Sequence, residues 1–172
     1  FTWTYDGTAS AITSSTIATD NSTILVAFSE PVYNSISGSG ALEASDFALV
    51  IGGGSATLAS ATPSSLSGSG SSYTLGVSLT GTPDGNEVIT VTPVDNSIYD
   101  HVGNESSTIQ TNNTVTLYDN TPPTMTTVNI VSNNSNYTNL ATVGDNVTVT
   151  FTSSETITTP SVLIGGQSAT VS

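Results

Sequence analysis

The segment TILVAF, residues 23–28, points to the fold class because its bulky apolar residues recur at a period of two. In an extended chain this period places Ile24, Val26 and Phe28 on one face, as a half-buried β-strand requires. Residues 73–79 repeat the pattern with tyrosine, leucine, valine and leucine at alternate positions. The two segments predict strands that share a core.

Further strands are predicted at Asp46–Ile51, Glu87–Val94 and Asn113–Tyr118, separated by turn formers such as GTPDGN at 81–86. No stretch keeps a helical period for three turns. Strands that follow one another without helical crossovers predict an all-β chain folded as an antiparallel sandwich.

The composition is one-sided: 172 residues contain no Lys or Arg and thirteen Asp or Glu, for a net charge of −13. Nucleic-acid binding and polybasic contacts with anionic lipid both need cationic side chains, so neither is expected. No apolar run approaches the roughly twenty residues of a membrane-spanning helix.

The carboxylates cannot form salt bridges with Lys or Arg, so cations of the solvent must screen or bind them. This indicates a saline or calcium-rich medium. The absence of cysteine excludes disulfides, thiolate chemistry and cysteine-type zinc sites.

A proline pair in DNTPP, residues 119–123, cannot continue a β-ladder and predicts a stiff linker between a domain at 1–120 and a second at 121–172. The second segment repeats the first: IGGGSATLA at 51–59 returns as IGGQSATVS at 164–172, and TILVAFSE at 23–30 as NVTVTFTSSE at 146–155. Phe28 and Phe151 are 123 positions apart and the IGG motifs 113, a difference that a loop insertion, SISGSGALEAS, would explain.

The second copy lacks counterparts of the last three predicted strands. Half a sandwich exposes one apolar sheet face, so either the chain is a fragment of a longer array, which we favour, or another chain supplies the strands. The opening FTWTYDGT is either a first strand or a segment that reaches a neighbour.

The runs FSEPV, ALEASDF, YTLGVSLTG, TPDGNEVITVTPVDNSIYDHVGN, NNTVTL and DNTPPT resemble the tandem immunoglobulin-like repeats of giant secreted prokaryotic surface proteins. The IYDxxGN ending is similar to the cyanobacterial swimming-motility type of repeat, and the acidity resembles Ig-like domains of surface-layer proteins from marine archaea. The resemblance implies tandem immunoglobulin-like sandwiches, the second incomplete, and an extracellular structural or adhesive role, often calcium-dependent.

The segment SIYDHVGNES, residues 97–106, concentrates the candidate chemistry. Catalysis is disfavoured because the lone His101 has no cysteine or lysine partner and no serine lies in a nucleophile elbow, so we expect no enzyme. Calcium prefers oxygen ligands, which predicts a site among Asp95, Asp100, Asn104 and Glu105, completed by Glu30 and Asp119 at strand ends. The alternative is a plain turn, which favours the same residue types.

Six N-x-[ST] sequons occur, at Asn21, Asn104, Asn112, Asn133, Asn136 and Asn146. Asn104 serves either a glycan or the metal, so the glycosylation candidates are the other five.

These observations lead to one functional expectation: a non-enzymatic extracellular protein that forms a surface layer or filament with copies of itself and is stiffened by Ca²⁺. The alternative is the stalk of a large calcium-dependent adhesin. A carbohydrate-binding module would need an exposed aromatic platform, for which Trp3 and Tyr5 are the candidates.

Overall fold

The computed structural model of the chain describes residues 5–171, and this range contains strands, turns and one short 3-10 segment but no α-helix. The all-β prediction is confirmed. The chain divides into two compact units, Phe1–Thr121 and Pro122–Ser172, where the sequence predicts a boundary after residue 120. No helix within the described range is long and apolar enough to cross a bilayer.

The first unit is built from two antiparallel sheets. The strands of its described residues are β1 (Ile12–Ile17), β2 (Thr23–Phe28), β3 (Phe47–Gly52), β4 (Thr57–Leu58), β5 (Leu66–Ser69), β6 (Ser72–Gly76), β7 (Leu79–Thr80), β8 (Val88–Pro93) and β9 (Thr114–Thr116). One sheet has the order β1-β2-β6-β5 and the other β3-β8-β9, while β4 and β7 form a separate pair. This is the order in which constant-type immunoglobulin domains arrange strands ABED and CFG.

Both sheets contribute to one apolar core. Ile24 and Val26 of β2 are completely buried, as are Ile89 and Val91 of β8 in the facing sheet. Three aromatic rings of this core lie close together, with centroids 6.2 to 6.4 Å apart: Phe28 of β2, Phe47 of β3 and Tyr73 of β6. The period-two pattern of the sequence is therefore the inward face of each strand.

A buried carboxylate fastens the loop before β4 to the loop before β8. Glu87 is completely buried, and its Oε1 accepts hydrogen bonds from the backbone N–H groups of Ser55 (2.9 Å) and Ala56 (2.8 Å). The N–H of Asp84 donates to both carboxylate oxygens. Burial alone raises the pKa of Glu87, but the hydrogen bonds from these backbone groups outweigh it and hold the pKa below its ordinary value.

Residues 122–171 of the second unit form four strands: β10 (Met125–Ser132), β11 (Val147–Ser153), β12 (Leu163–Ile164) and β13 (Gln167–Ser168). β10 pairs with β11 and β12 with β13, both antiparallel. The inward residues of β11 are half-buried, whereas those of β2 in the first unit are buried.

The two units begin with the same set of hydrogen bonds. A β-bulge interrupts the pairing at Thr13 in one unit and at Thr126 in the other, and each threonine hydroxyl donates to the facing carbonyl at 3.1 Å. The N–H of Ser29 donates to the carbonyl of Ala11, and the Oγ of Ser29 accepts from the N–H of Ala11. Ser154 makes the same two hydrogen bonds with Thr124. These shared contacts support the predicted repeat.

The same contacts change how the repeats align. Ser29 and Ser154 are 125 positions apart, so Phe28 corresponds to Ser153 and Phe151 corresponds to Val26. Matching phenylalanine with phenylalanine is wrong because the hydrogen-bonded bulge, not residue identity, fixes the register of each hairpin. The loop between the first two strands is longer in the second unit, where it spans residues 133–146. The loop after the second strand is longer in the first unit, where it includes residues 31–46.

The substitution Glu87→Ala tests the buried carboxylate. Removal of the carboxylate leaves three backbone N–H groups without their acceptor, so we expect the free energy of unfolding to fall by about 2 kcal/mol or more. Urea denaturation at neutral pH measures this loss. The matched control is Asp95→Ala, which removes one negative charge from an exposed turn. Equal losses in the two variants would show that Glu87 stabilises nothing beyond its charge.

Candidate metal centre

The turn at 97–106 is closed by backbone hydrogen bonds. The N–H of Ser106 donates to the carbonyl of Ile98 at 2.9 Å, and the N–H of Asp100 to the carbonyl of Asn104 at 3.0 Å. Gly103 has a φ of 91°, and a Cβ at this position would collide with the carbonyl oxygen of Ile36. Glycine is therefore required for the turn to pack against the loop after β2.

Asp100 is the buried centre of this turn. Its Oδ1 accepts hydrogen bonds from the N–H groups of Val102 (2.8 Å) and Asn104 (2.9 Å), and its Oδ2 accepts from Asn104 Nδ2 (2.7 Å). Burial raises the pKa of Asp100, but these bonds and one from Gly103 together hold it below its ordinary value. Asp100 is therefore a stable anion inside the fold.

Two more carboxylates meet this anion. Oxygen atoms of Asp6, Glu30 and Asp100 all lie within 4.8 Å of one another. Asp6 is exposed, Glu30 is half-buried and Asp100 is buried, so the group opens to solvent on the side of Asp6. Asp6 lies in the segment before β1, Glu30 lies two residues after the end of β2, and Asp100 lies in the turn at 97–106.

Glu30 shows the electrostatic cost of this arrangement. Burial raises its pKa above the ordinary 4.5, and the negative charges of Asp100 and Asp6 raise it further. A neighbouring cation would reverse the charge effect, because opposite charge stabilises the ionised form. The cluster of Asp6, Glu30 and Asp100 is therefore the candidate cation site of the described residues.

The segment that carries Asp6 is fastened to the same turn. Asp6 Oδ1 accepts from the N–H of Thr8 at 3.0 Å, and Asn104 Nδ2 donates to the Asp6 carbonyl at 3.2 Å. The hydroxyls of Ser10 and Ser106 form a buried hydrogen bond with each other. These contacts hold Asp6 beside Asp100.

The geometry suits a hard cation. Calcium binds oxygen at 2.3 to 2.6 Å, so two oxygens on opposite sides of one ion lie at most about 5 Å apart. The three carboxylates satisfy this limit and carry the charge that divalent cations require. Asp6, Glu30 and Asp100 could therefore hold Ca²⁺, with water completing the coordination.

The structure brings together some of the predicted ligands and separates others. Glu30 and Asp100 meet, and Asn104 supports Asp100 through its amide nitrogen. Three predicted ligands lie outside the cluster of carboxylates: Asp95 accepts a bond from Asn96 Nδ2, Glu105 from the N–H of Asn96, and Asp119 from the N–H of Thr121.

Asp6 was missed by the sequence prediction, although a signal for it exists. Residues 5–8 read YDGT and residues 118–121 read YDNT, and in both the aspartate accepts from the N–H two residues later. Asp6 therefore holds the place before β1 that Asp119 holds before β10. Because the motifs are 113 positions apart, as the IGG motifs are, the internal repeat points to Asp6.

The sequons differ in exposure. Asn21 is 2% exposed, and its Nδ2, where a glycan would attach, donates to the carbonyl of Tyr118 at 2.8 Å while its Oδ1 accepts from the N–H of that residue. The folded chain does not present this side chain to a glycosylating enzyme. The other candidates are exposed: Asn112, Asn133, Asn136 and Asn146.

The remaining candidates add little chemistry. His101 is exposed, with its ring centroid 6.0 Å from that of Tyr33. Tyr5 is 94% exposed, whereas its proposed platform partner Trp3, like Phe1, lies outside the described residues.

No protein-family model, curated protein or solved structure matches the chain.

The substitution Glu30→Gln tests the electrostatics of the site. The folded-state pKa of Glu30 lies above its ordinary 4.5, so ionised Glu30 opposes folding, and this destabilisation grows as the pH rises from 4.5 through the folded-state value. In EGTA at neutral pH we expect the variant to unfold at a higher urea concentration than the wild type. The difference should shrink as the pH falls below 4.5.

Glu105→Gln is the matched control, because Glu105 lies outside the cluster and its carboxylate accepts a backbone hydrogen bond. This control should be no more stable than the wild type. A Glu30→Gln protein that is less stable than the wild type in EGTA would contradict the proposed repulsion.

Proposed function

We propose that this chain is part of an extracellular structural scaffold, a surface layer or filament built from tandem β-sandwich units and stiffened by Ca²⁺. The observation that carries the proposal is the convergence of Asp6, Glu30 and Asp100 in a chain without Lys or Arg. A positive charge would relieve the repulsion among these groups, and the chain has no Lys or Arg to supply one.

A cation at this place would have a mechanical effect. Asp6 precedes β1 and is the exposed member of the cluster, whereas Asp100 is buried in the sandwich. An ion bound to both would fasten the incoming chain to the body of the first unit. The angle at which the chain enters the sandwich would then be fixed, which is what a stiff scaffold requires.

Surface charge supports the same setting. Eleven of the thirteen acidic residues precede the second unit, so the first unit carries a large negative charge with no Lys or Arg to balance it. Such a surface repels copies of itself at low ionic strength and is tolerated where salt or divalent cations screen it. Exposed sequons such as Asn133 and Asn136 fit glycosylation of an extracellular surface.

Two arrangements of the scaffold can be separated by electron microscopy of the cell envelope. A periodic lattice or a fibre labelled by an antibody against this chain supports the structural function. Isolated molecules whose removal abolishes attachment to other cells or surfaces would instead show the stalk of an adhesin.

Calcium should stabilise the first unit. Extracellular calcium modules bind with dissociation constants of about 0.1 to 1 mM. At a free Ca²⁺ concentration roughly tenfold above the weaker of these constants, binding adds about 1.4 kcal/mol to the free energy of unfolding. This corresponds to an increase of about 3 to 6 °C in the unfolding temperature. Differential scanning calorimetry with Ca²⁺ and with EGTA, at matched ionic strength, measures this shift.

Asp6→Asn should lose most of the calcium-dependent increase, because it removes one ligand charge while its side-chain oxygen can still accept from Thr8. Asp95→Asn, which alters an exposed acid outside the cluster, should keep the increase. Superimposable scans of the wild type with Ca²⁺ and EGTA would rule out the calcium site.

A further inference from the structure

Two segments of the first unit, one that enters the sandwich and one that leaves it, lie side by side. Four contacts join them, in this order: Asp6 with Asn104, Ser10 with Ser106, Ile12 with Gln110, and Asn21 with Tyr118. The residue numbers of both members increase together from one contact to the next. The segment 6–21, which contains β1, therefore runs parallel to the segment 104–118, which contains β9.

Side-chain amides, rather than strand pairing, join β1 to the segment before β9. β1 pairs with β2 and β9 with β8, and within residues 5–171 no ladder of backbone hydrogen bonds joins β1 to β9. The N–H of Ile12 instead donates to Gln110 Oε1 at 2.8 Å. Gln110 Nε2 donates to the carbonyl of Ser107 at 2.7 Å, which orients the amide. The side chain of Gln110 thus takes the place of a facing peptide group.

Asn21 makes the equivalent contact where the chain leaves the sandwich. This buried side chain accepts on Oδ1 from the N–H of Tyr118 at 2.9 Å and donates from Nδ2 to the carbonyl of the same residue. Both backbone groups of Tyr118 are therefore held, as a neighbouring strand would hold them. Just beyond, the N–H of Asn120 donates to the carbonyl of Pro83 at 2.9 Å. The exit of the chain is fastened to the body of the unit.

The parallel arrangement decides how these contacts respond to tension. Pulling on the chain from both sides of the unit draws the segment 6–21 towards its beginning and the segment 104–118 towards its end. In parallel segments these two forces are opposed along one axis, so the contacts are sheared together. Antiparallel segments would be pulled from the same end and would open one contact at a time.

We infer that the segments 6–21 and 104–118 form a load-bearing clamp, in which the amides of Asn21 and Gln110 resist tension along the chain. The inference rests on the proposed scaffold function, which gives the unit a load to carry. The hydrogen bonds of these two amides involve no carboxylate. The clamp therefore acts with or without calcium.

Single-molecule force spectroscopy of the full chain, held at its two ends in EGTA, tests the clamp. Unfolding of residues 6–121 releases roughly 35 to 40 nm at about 3.5 Å per residue, which distinguishes it from unfolding of the shorter second unit.

Two variants remove the amides. Asn21 has a φ of 60°, which glycine also adopts, so Asn21→Gly keeps the backbone conformation and removes both hydrogen bonds to Tyr118. At the same force we expect it to unfold about tenfold faster than the wild type. Gln110→Ala removes one hydrogen bond and should unfold about threefold faster.

Tyr73→Phe is the matched control, because it removes a buried hydrogen bond to the carbonyl of Val32 that lies outside both segments. Its unfolding rate under force should stay within about twofold of the wild-type rate. A control that unfolds as fast as Asn21→Gly would overturn the inference, and so would wild-type rates in both amide variants. Gln110→Ala keeps the test decisive if Asn21→Gly fails to fold. Because calcium is absent throughout, failure here leaves the calorimetric test of the calcium site unaffected.

Discussion

The fold depends on how carboxylates are satisfied in a chain that has no basic side chain except one histidine. Glu87 is buried and satisfied by three backbone N–H groups, and Asp100 is buried and satisfied by the turn that it organises. In both residues the hydrogen bonds hold the pKa below its ordinary value in spite of burial. Glu30 has no such donor set among residues 5–171, and burial together with the charges of Asp100 and Asp6 raises its pKa. The acids thus fall into two groups: those whose ionised form is stabilised by hydrogen bonds inside the fold, and those, such as Glu30, whose ionised form is disfavoured by burial and by neighbouring negative charge.

The hairpin that opens each unit repeats the same backbone device. A threonine at the bulge and a serine after the second strand make equivalent hydrogen bonds in both units, although the residues around them differ. A bulge fixes which residues of a strand face inward, so it preserves the register while side chains and loop lengths change. The unit is defined by these contacts and by the YDxT turn before them, which holds Asp6 and Asp119 in matching positions.

Much of the first unit could be predicted from apolar periodicity. The predicted strand at 23–28 agrees with β2 residue for residue, and those at 46–51 and 87–94 differ from β3 and β8 by about one residue at their ends. β1 and β5 were missed because ITSSTI and LSGS hold few apolar residues and form as partners of stronger strands. Of the three carboxylates that the structure brings together, residue type in the sequence identifies Glu30 and Asp100, whereas Asp6 is selected by proximity in three dimensions. Asp95 and Glu105, which are close to Asp100 in sequence, instead accept hydrogen bonds from Asn96.

The central claim is that a cation from the medium joins Asp6, Glu30 and Asp100. A crystal structure determined with calcium in the crystallisation solution tests it most directly. We predict one anomalous peak bound by oxygens of all three carboxylates at distances of about 2.3 to 2.6 Å. Water molecules alone around these carboxylates, with Glu30 turned away from Asp100, would contradict it.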